Sequence, residues 1–256
     1  MRALCAFIKK ECTEQVRSGR LWITFALFVL LGIMNPAVAK LTPWLLEIMA
    51  DSLVESGITV SGVNITAMDS WVQFFKNMPI GLIAFVLLQC AIFTKEYSSG
   101  TLVLSLTKGL KRYTVVISKA DVLLVIWSVM YWLCFGITYF YNSYFWDNSV
   151  AQNLSLSVVC WWLFGLFVIS LMTIFSTVCT TNTEVLFGTG AVVLASYVVG
   201  LLPKVNGYLP TKLTDGNSLI YGVAQPKEYI AAITVTAIAT AACFAFSIPV
   251  FNKKHL

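Results

Sequence analysis

Residues 122–146 read VLLVIWSVMYWLCFGITYFYNSYFW, a run of 25 positions without one charged side chain. A hydrocarbon core about 30 Å thick is crossed by about 20 helical residues, so the run is long enough for one span. It lacks the two-residue alternation of a barrel strand, and backbone in lipid must satisfy its own hydrogen bonds, which leaves an α-helix. Five further charge-free stretches flank it: Leu21–Ala39, Asn77–Thr94, Asn148–Thr183, Val185–Pro203 and Tyr229–Asn252. The longest, 36 residues, opens with a polar run from Asn148 to Ser157, so its membrane part is taken as 158–179. The reading is an all-α integral membrane protein with one transmembrane domain over 1–256. Its six spans fall at about 21–39, 78–94, 122–146, 158–179, 185–203 and 229–251. Composition points the same way. Only 11% of residues are charged and 58% are hydrophobic, where a soluble domain carries about 25% charged residues. A mean hydropathy of +0.81 excludes a water-soluble fold.

An even number of spans puts both termini on one side. With the termini and the 95–121 and 180–184 loops inside, twelve Lys and Arg lie inside and five outside, namely Lys40, Lys76, Lys204, Lys212 and Lys227. That bias follows the positive-inside rule, so the expected location is the plasma (cytoplasmic) membrane with cytoplasmic termini. The net charge of +5 then reports topology and needs no nucleic-acid partner. Ala37-Val38-Ala39 resembles a leader cleavage site, but the 19-residue apolar run is longer than a leader's core and Glu11 and Glu14 precede it. The expectation is an uncleaved first span.

Residues 1–17 form an amphipathic helix in which Leu4, Ile8, Cys12 and Val16 make one stripe, suited to lying in the membrane interface. Contact with a cytosolic partner is the other use for such a helix. Proline in Asn35-Pro36 is expected to kink or stop the first span. The longest outer loop follows, and in it Trp44–Glu55 reads as a short helix. Glu47, Asp51 and Glu55 share one face of that helix and are candidates for a cation or cargo contact. A merely solvated face has the same spacing. Segment 204–228 contains Gly207, Pro210, Gly216 and Pro226, which predicts broken backbone rather than a long helix.

Several chemistries are excluded. There is no Gly-x-x-x-x-Gly-Lys-Ser/Thr run to cradle phosphates. The one histidine, His255, lies in the tail, which leaves neither a Ser-His-Asp set nor a histidine metal site. Seven cysteines show no Cys-x-x-Cys spacing, and the outer connections contain none, so most are read as packing thiols. Ionisable residues are almost absent at membrane depth, where coupled pumps carry them. Milder groups such as Asn35 and Gln89 suit helix packing.

Residues 93–119 read FTKEYSSGTLVLSLTKGLKRYTVVISK. Within them Glu96, Gly100, Thr101, Leu102, Leu106, Arg112 and Lys119 follow in order the pattern after the second span of type-2 ABC exporter permeases. The chain resembles that ABC-2 family in this segment and in its whole layout. It departs from the pattern in lacking the usual proline before the arginine, with Lys108-Gly109 nearby instead. The resemblance implies a permease subunit, not an enzyme, moving an amphipathic peptide, drug or lipid-like cargo outward, with peptide and bacteriocin export or immunity as the nearest kind. It also implies a cytosolic ABC ATPase subunit that carries ATP and Mg, a second permease copy or related permease, and no cofactor on this chain. The loop would form a coupling helix seated in the ATPase, with Glu96, Gly100, Thr101, Leu102, Leu106, Lys111 and Arg112 at the contact. Glu96 would then sit near the positive start of the short helix, with Lys108, Lys111 and Arg112 near its end, and Leu102, Leu104 and Leu106 as apolar anchors. The alternatives are a secondary transporter or channel without an ATPase, and a membrane immunity or scaffold protein.

Overall fold

The computed structural model describes residues 2–48, 65–107, 109 and 111–254, with backbone only for 2, 3, 46, 47 and 103–105. Among these residues every regular element is helical. Six helices are long and apolar enough to cross a membrane, at Arg20–Leu45, Ala67–Ser98, Arg112–Phe145, Leu154–Val178, Asn182–Gly200 and Pro226–Lys253. A short helix α1 (Arg2–Arg17) precedes the first span. The spans then follow as α2 (Arg20–Ile48), α3 (Ala67–Gln89) continued by α4 (Ala91–Ser98), α6 (Arg112–Phe145), α7 (Leu154–Val178), α8 (Asn182–Gly200) and α11 (Ile230–Lys253). Helix α5 (Thr101–Thr107) lies in the connection between α4 and α6. Two short helices, α9 (Pro203–Asn206) and α10 (Gly216–Ile220), lie between α8 and α11. Helix α1 and the end of α11 both meet the start of α6, at one end of the bundle, called here the termini end.

Two spans start well before their charge-free runs, and a third runs past its expected end. α3 begins at Ala67 because Thr66 accepts from the Met68 N–H while the Asp69 carboxylate accepts the Thr66 N–H at 2.9 Å, a capping box. α6 begins at Arg112, ten residues before the run quoted above, and so takes Lys119 and Asp121 into its first turns. α2 contradicts the expected stop at Pro36, because it runs through Pro36 and Pro43 to Ile48. Proline cannot donate to the carbonyl four residues back. Here the Gly32 carbonyl accepts the Thr138 hydroxyl of α6 at 3.0 Å instead, which satisfies the freed group. Residues 44–48 therefore continue the first span rather than opening a separate helix, and residues 49–55 of the expected outer helix lie outside the described residues.

α7 is the central element, with 67% of its most apolar window buried. Gly165 lets it meet α6 closely: a Cβ there would fall 2.1 Å from the Trp127 ring, which is wholly buried. α8 is the opposite case, with 11% of its window buried and Phe187, Leu194 and Val198 facing outward. Asn35 and Gln89 both serve helix packing. Asn35 donates to Thr138 at 3.0 Å and accepts from Asn77 at 2.7 Å, linking α2, α6 and α3. Segment 204–228 folds into short turns over α7, as its Gly and Pro content predicts, and buries Leu213, Leu219 and Ile220.

Candidate functional site

The inward face of α1 is not its apolar stripe. Phe7, Glu11 and Gln15, spaced i, i+4, i+8, are buried against the spans. Leu4 and Ile8 are half-buried, while Cys12 and Val16 are exposed. Two polar groups at 2% and 4% exposure need partners, because an unpaired buried charge is expensive. They have them. Glu11 Oε2 accepts from Lys119 Nζ at 2.9 Å, and Gln15 donates to Gln89 at 2.8 Å.

Lys119 also donates to the Ile92 carbonyl at 2.8 Å and forms an ion pair with Glu96 Oε2 at 3.1 Å, without hydrogen-bond geometry. Lys10 closes the ring from the other side, at 3.0 Å from Glu11 Oε1 and hydrogen-bonded to Glu96 Oε1. The result is a quartet in which Glu11 and Glu96 alternate with Lys10 and Lys119. Phe7 and Phe93 line it, their ring centres 5.9 and 5.5 Å from Lys119 Nζ. Glu14 extends it outward, 3.7 Å from Lys10 and 3.5 Å from Lys95. Burial draws the Lys10 ammonium down, but the Glu96 hydrogen bond and the fields of Glu11 and Glu96 hold it above its ordinary value. Burial pushes the Glu14 carboxyl up, and Lys10, Lys119 and Lys95 together hold it below 4.5. Glu11, Glu14 and Glu96 bring oxygens within 4.8 Å of one another, close enough for a metal. The two ammonium groups already occupy and neutralise that space.

The segment 90–112 is tied to the other spans as well. Tyr97 donates to the Ser176 carbonyl at the end of α7 at 2.9 Å, and Thr94 to Asn182 at the start of α8. Arg112 donates to the carbonyls of Phe251, Asn252 and Lys254 at 3.2, 3.3 and 2.6 Å, capping the end of α11. Lys254 in turn lies 4.0 Å over the Tyr97 ring and donates to the Cys179 carbonyl at 2.6 Å. Burial draws this lysine below its ordinary value. One short stretch is therefore bonded to α1, α6, α7, α8 and α11.

The residues expected at a partner contact are divided by the structure. Glu96 lies in the second half of α4, not near the start of the short helix, and is buried. The short helix begins five residues later, at Thr101, after Gly100 turns the chain with φ +67°. That left-handed geometry suits glycine. Leu102 points inward at 2% exposure, Leu106 packs partly against the core, and Arg112 is half-buried. Gly100, Thr101 and Lys111 are exposed, together with Ser98, Ser99 and Thr107. The side chain of Leu104, all of Lys108, the side chain of Glu47, and Asp51 and Glu55 lie outside what the structure describes. Glu11 and Lys10 were missed as site residues. Nothing in the spacing of α1 singles them out, because Lys119 lies 108 residues from Glu11 and Glu96 lies 86 residues from Lys10.

A 270 Å³ groove lined by Leu82, Val86 and Leu87 of α3, Val168 of α7, and Leu186 and Val193 of α8 opens on the side of the bundle. It is almost wholly apolar.

Six helices long and apolar enough to cross a membrane, preceded by a short helix, define a multi-pass membrane protein. The family model for ABC-2 family transporter proteins matches residues 5–246, and the chain belongs to that family. No curated protein and no solved structure matches the chain. Membership makes it the permease subunit of an ABC transporter, a transport component that is not itself catalytic, with ATP hydrolysis on a separate subunit.

Proposed function

We propose that this permease exports an amphipathic peptide, drug or lipid-like cargo, with the exposed face of α5 and its flanks as the seat of a cytosolic ABC ATPase. The observation that carries the reading is the set of bonds from residues 90–112 to α1, α6, α7, α8 and α11. Closure of two ATPases around ATP and Mg would press on Gly100, Thr101 and Lys111. Glu96, Leu102, Leu106 and Arg112 would transmit the displacement from inside. An equilibrium between two span arrangements is then biased by a ligand on the partner.

The termini end is the cytoplasmic side in this reading, supported by twelve Lys and Arg against five, and the membrane is the plasma membrane. The outward face of α8 supports pairing with a second copy or a related permease. The apolar groove between α3 and α8 supports a cargo with a lipid-like part, the peptide and bacteriocin kind included.

Tagged protein isolated in mild detergent from its own membranes tests this. Vanadate-sensitive ATPase activity is expected to co-purify with the wild type and with Lys227→Glu at the far end, and to fall at least about ten-fold with Lys111→Glu, a change worth roughly 1.4 kcal/mol. Equal retention by Lys111→Glu would overturn the docking surface. Absence of any ATPase from the wild type would favour the channel or scaffold alternatives.

A further inference from the structure

Lys9 and Arg17, on the basic side of α1, take no part in the ion quartet. A groove of about 620 Å³ runs between α1 and α4, lined by Lys9, Lys10, Thr13, Glu14, Arg17 and Lys95 among others. Four cations face one carboxylate there. Lys10 and Lys95 already serve Glu11, Glu96 and Glu14. Lys9 and Arg17 are exposed, and neither has an ion-pair partner among the described residues. The groove is therefore a preformed cationic recess with two uncommitted charges.

What borders it decides the ligand. Successive residues of a helix are about 100° apart, which places Val16 about 20° and Cys5 about 40° from Lys9 around α1. Val16 is 44% exposed and Cys5 and Cys12 are exposed, so an apolar strip runs beside Lys9, on the side away from the buried Glu11, with Arg17 about 100° further round the helix from Val16. A soluble phosphate would use the cations and leave that strip bare. A phospholipid uses both, with its phosphate in the recess and its chains along the strip. We infer that this groove binds the phosphate headgroup of an anionic phospholipid from the leaflet at the termini end, with Lys9 and Arg17 as its principal contacts. Lys9 and Arg17 are not among the residues proposed to seat the ATPase.

Full-length protein in neutral detergent, titrated with phosphatidylglycerol and followed by native mass spectrometry, tests the assignment. Each surface cation near an anionic headgroup is worth about five-fold in affinity, so Lys9→Gln with Arg17→Gln is expected to weaken phosphatidylglycerol binding about 25-fold. Phosphatidylcholine should bind the wild type no better than the double variant binds phosphatidylglycerol. Both substitutions lie outside the ion quartet, and an unchanged unfolding midpoint verifies that the variant is folded. Retained phosphatidylglycerol affinity in the folded double variant would overturn the site. Glycerol 1-phosphate binding as tightly as phosphatidylglycerol would reassign it to a soluble phosphate. Loss of ATPase co-purification with lipid affinity intact would reassign it to a protein contact.

Discussion

At the termini end, α1, α4 and α6 meet through two carboxylates and two ammonium groups, Glu11, Glu96, Lys10 and Lys119, three of them nearly inaccessible to solvent. At the far end, the segment before α11 is fastened to its neighbours by neutral donors on backbone carbonyls. Trp161 reaches the Thr214 carbonyl, Ser157 the Gly216 carbonyl and Tyr229 the Asp215 carbonyl, each at 2.9 Å. Such a neutral bond contributes about 1 kcal/mol and is lost alone. A member of the buried quartet cannot be lost alone, because its removal leaves an opposite charge without compensation. The far end is thus a set of independent fasteners, and the termini end a single electrostatic unit through which a displacement of α4 is felt by α1 and α6 together.

Breaking the quartet should have the largest effect. Lys119→Met leaves Glu11 and Glu96 sharing Lys10, and is expected to cost about 3–5 kcal/mol, seen as a large drop in the unfolding midpoint in detergent. Trp161→Phe at the far end removes one donor and should cost about 1 kcal/mol, with a midpoint shift that 0.5 M salt does not change. If the two variants shift the midpoint equally, the contrast between the ends fails. Lys95→Ala, at the exposed margin of the charged end, should cost less than about 1 kcal/mol and lose its effect in high salt.

The smallest effect is with pH. Glu14 has its carboxyl held below 4.5, so its contribution to holding α1 is fully present above that value and is lost as pH falls through the lower folded value. Lys10, held above 10.5, contributes below that value and loses its contribution only at still higher pH. Attachment of α1, read by hydrogen exchange of its amides, should therefore be flat near neutrality and loosen in acid. An unchanged exchange rate at pH 3 would remove Glu14 from the unit.

Much of the bundle was legible because lipid imposes one rule: charge-free runs of sufficient length must be helices. The same rule hid the site. Using charges to mark where spans stop placed Lys119 and Glu96 in a loop, when α6 begins at Arg112 and carries Lys119 inside. The apolar stripe of α1 was readable. That its inner face would be Phe7, Glu11 and Gln15 depended on partners 108 and 74 residues away, Lys119 for Glu11 and Gln89 for Gln15, and no local spacing carries that. The motif at 96–112 located the hub but not the direction in which each side chain points, so Arg112 appeared as a surface cation although it caps α11. Pro36 misled for a comparable reason, since the hydroxyl that takes over the Gly32 carbonyl belongs to Thr138 on another span.

In the proposed coupling Glu96 works from inside, by holding α4 to α1 and α6, and not by touching the ATPase. Glu96→Gln leaves Lys10 and Lys119 sharing Glu11, with Glu14 only at the margin of Lys10, whereas Glu96→Gln with Lys10→Gln leaves a balanced Glu11–Lys119 pair. The measurement is the unfolding midpoint and the co-purified ATPase activity of both variants, side by side with the wild type. Both quantities should fall in Glu96→Gln and return most of the way in the double variant. A double variant that regains its midpoint but still fails to hold the ATPase would place Glu96 at the partner surface and contradict the account.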